Sequence, residues 1–196
     1  MFKMKNIYLN LEGEIINPQQ NSAEEVVGRK ISPKNEDATI DDIYQQIVDT
    51  ENIYFGYFRQ SEFYEQRQSS DLEISLFLLA VLSYVFLRFT NVDNKENKLD
   101  KLTRIFLQDL IHLYEECTFE ELLTQYRAAF AEYFGLINLL FEENQSSSGN
   151  PSITLAMHLF ERVTKVSSRT HMMSVVGLSK ILTEYIADQV KFAKAL

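Results

Sequence analysis

LEISLFLLAVLSYVFLRF, residues 72–89, decides how this chain is read. From Leu76 to Leu87 it runs for 12 residues without a charged side chain, and Glu73 and Arg88 close it on either side. A membrane-spanning helix needs about 20 apolar residues; the uncharged core covers roughly 18 Å of a hydrocarbon layer about 30 Å thick. A helix that is apolar all round also suits the centre of a water-soluble bundle. The expectation is therefore a buried central helix and no membrane partner.

The flanking segments supply what such a helix packs against. Ser70-Asp71-Leu72-Glu73 has the form of a capping box opening it, and Asn91 to Asn97 is a polar stretch that ends it. Upstream, Thr39-Ile40-Asp41-Asp42 reads as a helix start, followed by a stripe at Ile40, Ile43, Ile47, Tyr54 and Phe58. Asn52 and Gly56 are weak helix formers, and a break is expected there.

Downstream, Leu99, Leu102, Phe106, Leu110, Leu113 and Cys117 step by threes and fours as one amphipathic helix. Thr118-Phe119-Glu120-Glu121 is a second capping box, before a stripe from Leu122 to Leu140. Asn144 to Asn150 reads as a loop, and Asn150-Pro151 as a cap followed by proline at the first helical position. Helices through Ile153 to Val163 and Met172 to Leu196 complete the pattern. The fold class is all-α: a single-domain bundle of five or six helices around an apolar central helix at about 72–89.

Residues 1–38 differ from the bundle domain, 39–196. Ile7, Leu9 and Leu11 alternate with polar neighbours, and Glu12-Gly13 precedes Glu14-Ile15-Ile16, the pattern of a short β-hairpin. Asn17 to Thr39 carries Pro18, Pro33 and many polar residues and reads as a loop or arm, with one helical turn near Ala23 to Val27.

Composition removes several functions. Of 196 residues, 19 are Lys or Arg and 28 Asp or Glu, a formal charge of −9, so this acidic protein lacks the basic footprint of nucleic-acid binding. A single cysteine and three histidines exclude a disulfide framework or a zinc site built from several cysteines. The N-terminal residues lack the apolar run of a secretory signal, so a cytoplasmic protein with Cys117 as a reduced, buried thiol is expected. The six glycines stand at least 14 positions apart, which excludes phosphate-binding glycine loops.

A metal-dependent helical enzyme would need converging Glu and His pairs. Asp109-x-x-His112 with Glu116 is a partial match, His158-x-x-Glu161 is reversed, and Glu62-x-x-Glu65 has no companion pair. Neither catalysis nor a cofactor or metal is expected.

The densest unusual feature is aromatic. Tyr54, Phe55, Tyr57, Phe58, Phe63 and Tyr64 place six rings within 11 residues, more than one helix face can bury. Tyrosine and phenylalanine are enriched at interface cores. Asp41, Asp42, Asp49 and Glu51 lie beside them. From Glu12 to Glu51 ten acids face three bases, a net of −7, whereas Pro151 to Leu196 has three acids and six bases, a net of +3.

The expected function is non-enzymatic protein–protein interaction of the adaptor, inhibitor or immunity type. The partner is another protein or a second copy as a homodimer, met by this acidic and aromatic surface. The alternative is a bundle enclosing a small apolar ligand near Tyr84, Phe86, Met172 and Met173.

Overall fold

A computed structural model describes residues 8–9, 15–16, 40–59, 68–114, 117–141 and 150–196. Among the described residues there are six α-helices: α1 (Ile40–Arg59), α2 (Gln68–Phe89), α3 (Lys95–Leu113), α4 (Phe119–Asn138), α5 (Pro151–Thr164) and α6 (Met172–Ala195). Short 3-10 turns follow α4 at Leu139–Phe141 and precede α6 at Ser168–Thr170. Two two-residue strands, β1 (Tyr8–Leu9) and β2 (Ile15–Ile16), pair antiparallel with Tyr8 opposite Ile16, where alternation predicts a hairpin. The expected arm at Asn17 to Thr39 lies outside the described residues.

The centre is α2, which contacts α3, α4, α5 and α6. From Ile74 to Phe86 every residue is buried. Ridding water of one large apolar side chain is worth about 1.5–3 kcal/mol, so this run is the main driving force for assembly. Its two serines would oppose burial if left unpaired. Ser75 Oγ donates to the Asp71 carbonyl at 3.0 Å, and Ser83 Oγ bonds the Leu79 carbonyl and the Tyr126 hydroxyl of α4. Aromatic edges complete the α2–α4 contact, with Phe77 against Tyr133 at 4.8 Å and Tyr84 against Phe134 at 5.2 Å. On the α6 side, the Tyr185 hydroxyl donates to the Leu78 carbonyl at 3.2 Å.

By length and composition, Ser70–Phe89 is the one described helix able to cross a membrane, and 72% of that window is buried inside the fold. Counting only the uncharged core understates the length of the helix. The neighbouring helices cover most of α2.

Several local signals hold and others do not. The Thr118 box closes as expected: its hydroxyl accepts from the Glu121 N–H and the Glu121 carboxylate accepts from the Thr118 N–H. Asn150 Oδ1 accepts from the Ser152 N–H at 3.1 Å, with Pro151 leading α5.

The Ser70 box is absent. α2 begins earlier, at Gln68; Ser70 Oγ donates to the Val163 carbonyl and Glu73 is bound by Arg162. Tertiary partners outbid the local cap.

The expected break near Asn52 and Gly56 is also absent, because α1 runs unbroken to Arg59. Cys117 is not on a helical stripe. α3 ends at Leu113, and Cys117 sits half-buried in the connection to α4, its N–H donating to the Tyr114 carbonyl.

Candidate functional site

The apolar stripe of α1 contains an acid. Ile43, Ile47, Glu51 and Tyr54 follow at intervals of four, four and three, so Glu51 points the same way as the core residues around it. All four are buried, Glu51 at 6% exposure. Burial alone pushes its carboxyl from the ordinary 4.5 up to about 8, which leaves it mainly protonated at neutral pH. Its Oε1 has no hydrogen-bond partner among the described residues. An unmade bond at a buried polar atom costs about 1–3 kcal/mol, so this atom calls for an explanation.

Glu51 borders a cavity of about 340 Å³ between α1, α2 and α3. Its buried lining consists of Glu51, Ser75, Leu78, Leu110 and Tyr114, and its half-buried lining of Tyr44, Val48, Gly56 and Phe106. Asn52, Asp109 and Leu113 are exposed and mark the mouth. Across that mouth the Tyr44 hydroxyl donates to Asp109 Oδ2, joining α1 to α3. Desolvation first, then the bond to Asp109, raises the Tyr44 hydroxyl far above the usual tyrosine range. No Lys, Arg or His is among the described lining residues.

A second polar cluster lies where α2, α4 and α5 meet. Arg162 grips Glu73 with two parallel bonds, Nε to Oε1 at 2.9 Å and the second nitrogen to Oε2 at 3.0 Å. It also reaches Glu132 Oε2 at 3.0 Å, whose other oxygen meets His158 Nε2 at 2.6 Å. The Tyr133 hydroxyl donates to Glu73 Oε1 at 3.3 Å. Each oxygen of Glu73 and Glu132 is thus engaged. The Glu73 bond is the first cause raising the Arg162 guanidinium further above its ordinary value. This cluster reads as a clamp among three helices, since both carboxylates in it are already held by neighbouring helices.

The residues expected to form an interaction surface divide. Tyr54 and Glu51 are not at the surface. Tyr54 is 5% exposed, its hydroxyl donates to Asp188 Oδ2 at 2.7 Å and its ring meets Tyr185 edge-on at 5.0 Å. Glu51 comes to the same neighbourhood, as one of the charges acting on Tyr185. Asp49 is half-buried and accepts from Gln45 at 3.1 Å. Asp41, Asp42, Phe55, Tyr57 and Phe58 belong to α1, with side chains outside the described set; Phe63 and Tyr64 lie wholly outside it.

The residues expected near a ligand, Tyr84, Phe86, Met172 and Met173, are placed apart from the cavity between α1, α2 and α3. Tyr84 and Phe86 are packed core and Met173 is 84% exposed. None of the four lines the cavity between α1, α2 and α3.

The partial metal motifs disperse as well. Asp109 accepts from Tyr44, His112 is exposed, and Glu161 accepts from the Ser168 N–H and hydroxyl. Glu62, Glu65 and Glu116 lie outside the described residues. Among the described residues no group of three or more His, Cys, Asp and Glu converges as a metal would require.

The readable signal missed for the cavity was Glu51 itself, an acid at a core position of a helical stripe. Tyr44, Phe106 and Asp109 carried none, because only the approach of α3 to α1 gives them a common space. Neither a family model, nor a curated protein, nor a solved structure matches the chain.

Proposed function

We propose that this chain is a non-enzymatic helical bundle that holds a small, mainly apolar ligand between α1, α2 and α3. The observation that carries this reading is Glu51, a buried acid with one unpartnered oxygen among the described residues, lining a cavity of about 340 Å³. Ligand sites are typically apolar concavities of about 300–1,000 Å³ with a few convergent polar groups and a perturbed titratable residue. A cytoplasmic setting goes with this reading, supported by the burial of α2 among four helices.

Gly56 supplies the test. A Cβ built there meets nothing within 4 Å, and Gly56 lies on the cavity wall. Gly56→Leu should fold, fill the space and exclude a ligand. Native mass spectrometry of protein taken gently from its source should show a small molecule on the wild type and none on Gly56→Leu. The same bound small molecule on both proteins, or none on either, would sink the reading.

Protein–protein interaction is the second reading. It is favoured by Ile53 and Leu113, apolar side chains 41% and 70% exposed, Leu113 at the cavity mouth. In the same experiment this reading predicts a retained polypeptide or a doubled mass in light scattering, lost on changing Tyr57 and Phe58 to Ser.

A further inference from the structure

The chemistry of the cavity wall says more about the ligand. We infer that the cavity takes an apolar primary amine, whose ammonium group pairs with the Glu51 carboxyl while its hydrocarbon part lies against Leu78, Phe106 and Leu110. The inference rests on the ligand-binding reading and adds a charge and a proton to it.

Three observations lead to a cation. First, the titratable groups of the described lining are Glu51, Asp109, Tyr44 and Tyr114, every one neutral or negative and none able to pair with an anion as a positive charge would. Second, the orphaned atom is a carboxyl oxygen, which accepts hydrogen bonds. Third, among the described residues no cation acts on Glu51, whose carboxyl pKa is raised by burial alone. α1 sets Tyr44 near it, α3 contributes Asp109, and α6 contributes Tyr185, with Asp188 bound to Tyr54 and 3.6 Å from Lys191.

An empty site therefore holds Glu51 protonated, as its elevated pKa of about 8 reflects. A neutral carboxyl avoids the cost of an isolated buried charge, and an arriving ammonium removes that cost by pairing.

The proton balance is explicit. An alkylammonium, with a pKa near that of lysine at about 10.4, enters with its charge. Glu51 gives up its carboxyl proton to solvent, and the ammonium N–H then donates to the resulting carboxylate. No covalent bond between ligand and protein forms, and one proton is released per ligand bound below pH 8. Affinity for the amine consequently rises about tenfold per pH unit from pH 6 toward 8 and then levels off.

The experiment uses isothermal titration calorimetry on the full chain with three probes of one shape: 2-phenylethylamine, 2-phenylethanol and phenylacetate. The amine should bind at least tenfold more tightly than the alcohol at pH 7.5, and phenylacetate weakest of all. Repeating the titration in buffers of different ionisation enthalpy should count close to one proton released at pH 7. Glu51→Gln should weaken the amine at least tenfold, leave the alcohol unchanged and remove the pH dependence.

Equal binding of amine and alcohol, both lost in Gly56→Leu, would overturn the amine and leave the ligand cavity standing. Equal affinities for all three probes, unaltered in Gly56→Leu, or no binding by any probe, would overturn both.

Discussion

Glu73 and Glu51 are the same amino acid in two withdrawn environments, and the fold treats them in opposite ways. Glu73, at the start of α2, meets Arg162 through two bonds and Tyr133 through a third. Glu51, in the middle of α1, meets a cavity, and one of its oxygens has no partner among the described residues. Both are largely withdrawn from solvent, Glu51 buried and Glu73 with 13% of its side chain exposed, so burial alone does not decide what a carboxyl does. The supply of donors does. A carboxylate with a bidentate guanidinium locks helices together. One without a counter-charge keeps its proton, its acceptor oxygen waiting for a donor. The first arrangement belongs to a structural joint, and the second is where we propose that a ligand binds.

The sharpest test is the pH dependence of stability. Folding raises the Glu51 pKa from 4.5 to about 8. The folded chain therefore holds a proton that the unfolded chain releases between these values. Glu51's contribution is full below pH 4.5 and is lost as the pH climbs toward 8, at roughly 1.4 kcal/mol per pH unit. Glu51→Gln cannot release that proton. Relative to wild type it should gain about 3 kcal/mol between pH 4.5 and pH 7, read from urea unfolding at both values. Parallel unfolding curves at every pH would mean that Glu51 is satisfied like Glu73, and the contrast would collapse.

Arg162→Met probes the other side. It removes the counter-charge from Glu73, whose side chain is 13% exposed, while that of Arg162 is 38% exposed. Breaking a fully buried pair costs several kcal/mol, and solvent at Arg162 reduces this to about 2 kcal/mol. Guanidinium unfolding at pH 7 should register the loss. A variant as stable as wild type would show that the clamp contributes no more than an exposed surface pair.

Gly56→Leu should act in the opposite direction. Replacing glycine inside α1 favours the helix by about 0.5–1 kcal/mol, and the open space accepts the new side chain. A rise in Tm of a few degrees is the expected reading, whereas a fall would mean that the wall of the cavity is tighter than this geometry. The smallest effect is expected for Leu113→Ser. Its side chain is 70% exposed at the mouth, so stability should move by no more than about 0.5 kcal/mol in the same melts.

The sequence by itself determined the helical class, the central place of α2 and the caps at Thr118 and Asn150. These follow from local rules: the interval between apolar residues, and side chains that reach backbone groups two or three positions away. Even the oddity of Glu51 was legible as an acid on an apolar stripe. Where local rules failed, a distant partner had intervened. Ser70 and Glu73 left their apparent box for Val163 and Arg162, some ninety residues on.

Tyr54, counted among surface aromatics, turned inward to Asp188 and Tyr185. Only tertiary structure decided where empty space remains, because a cavity is the mismatch between faces of α1, α2 and α3 that no single segment encodes. It alone also decided that Glu73 receives Arg162 while Glu51 meets no cation among the described residues, since that depends on a donor reaching it from another helix.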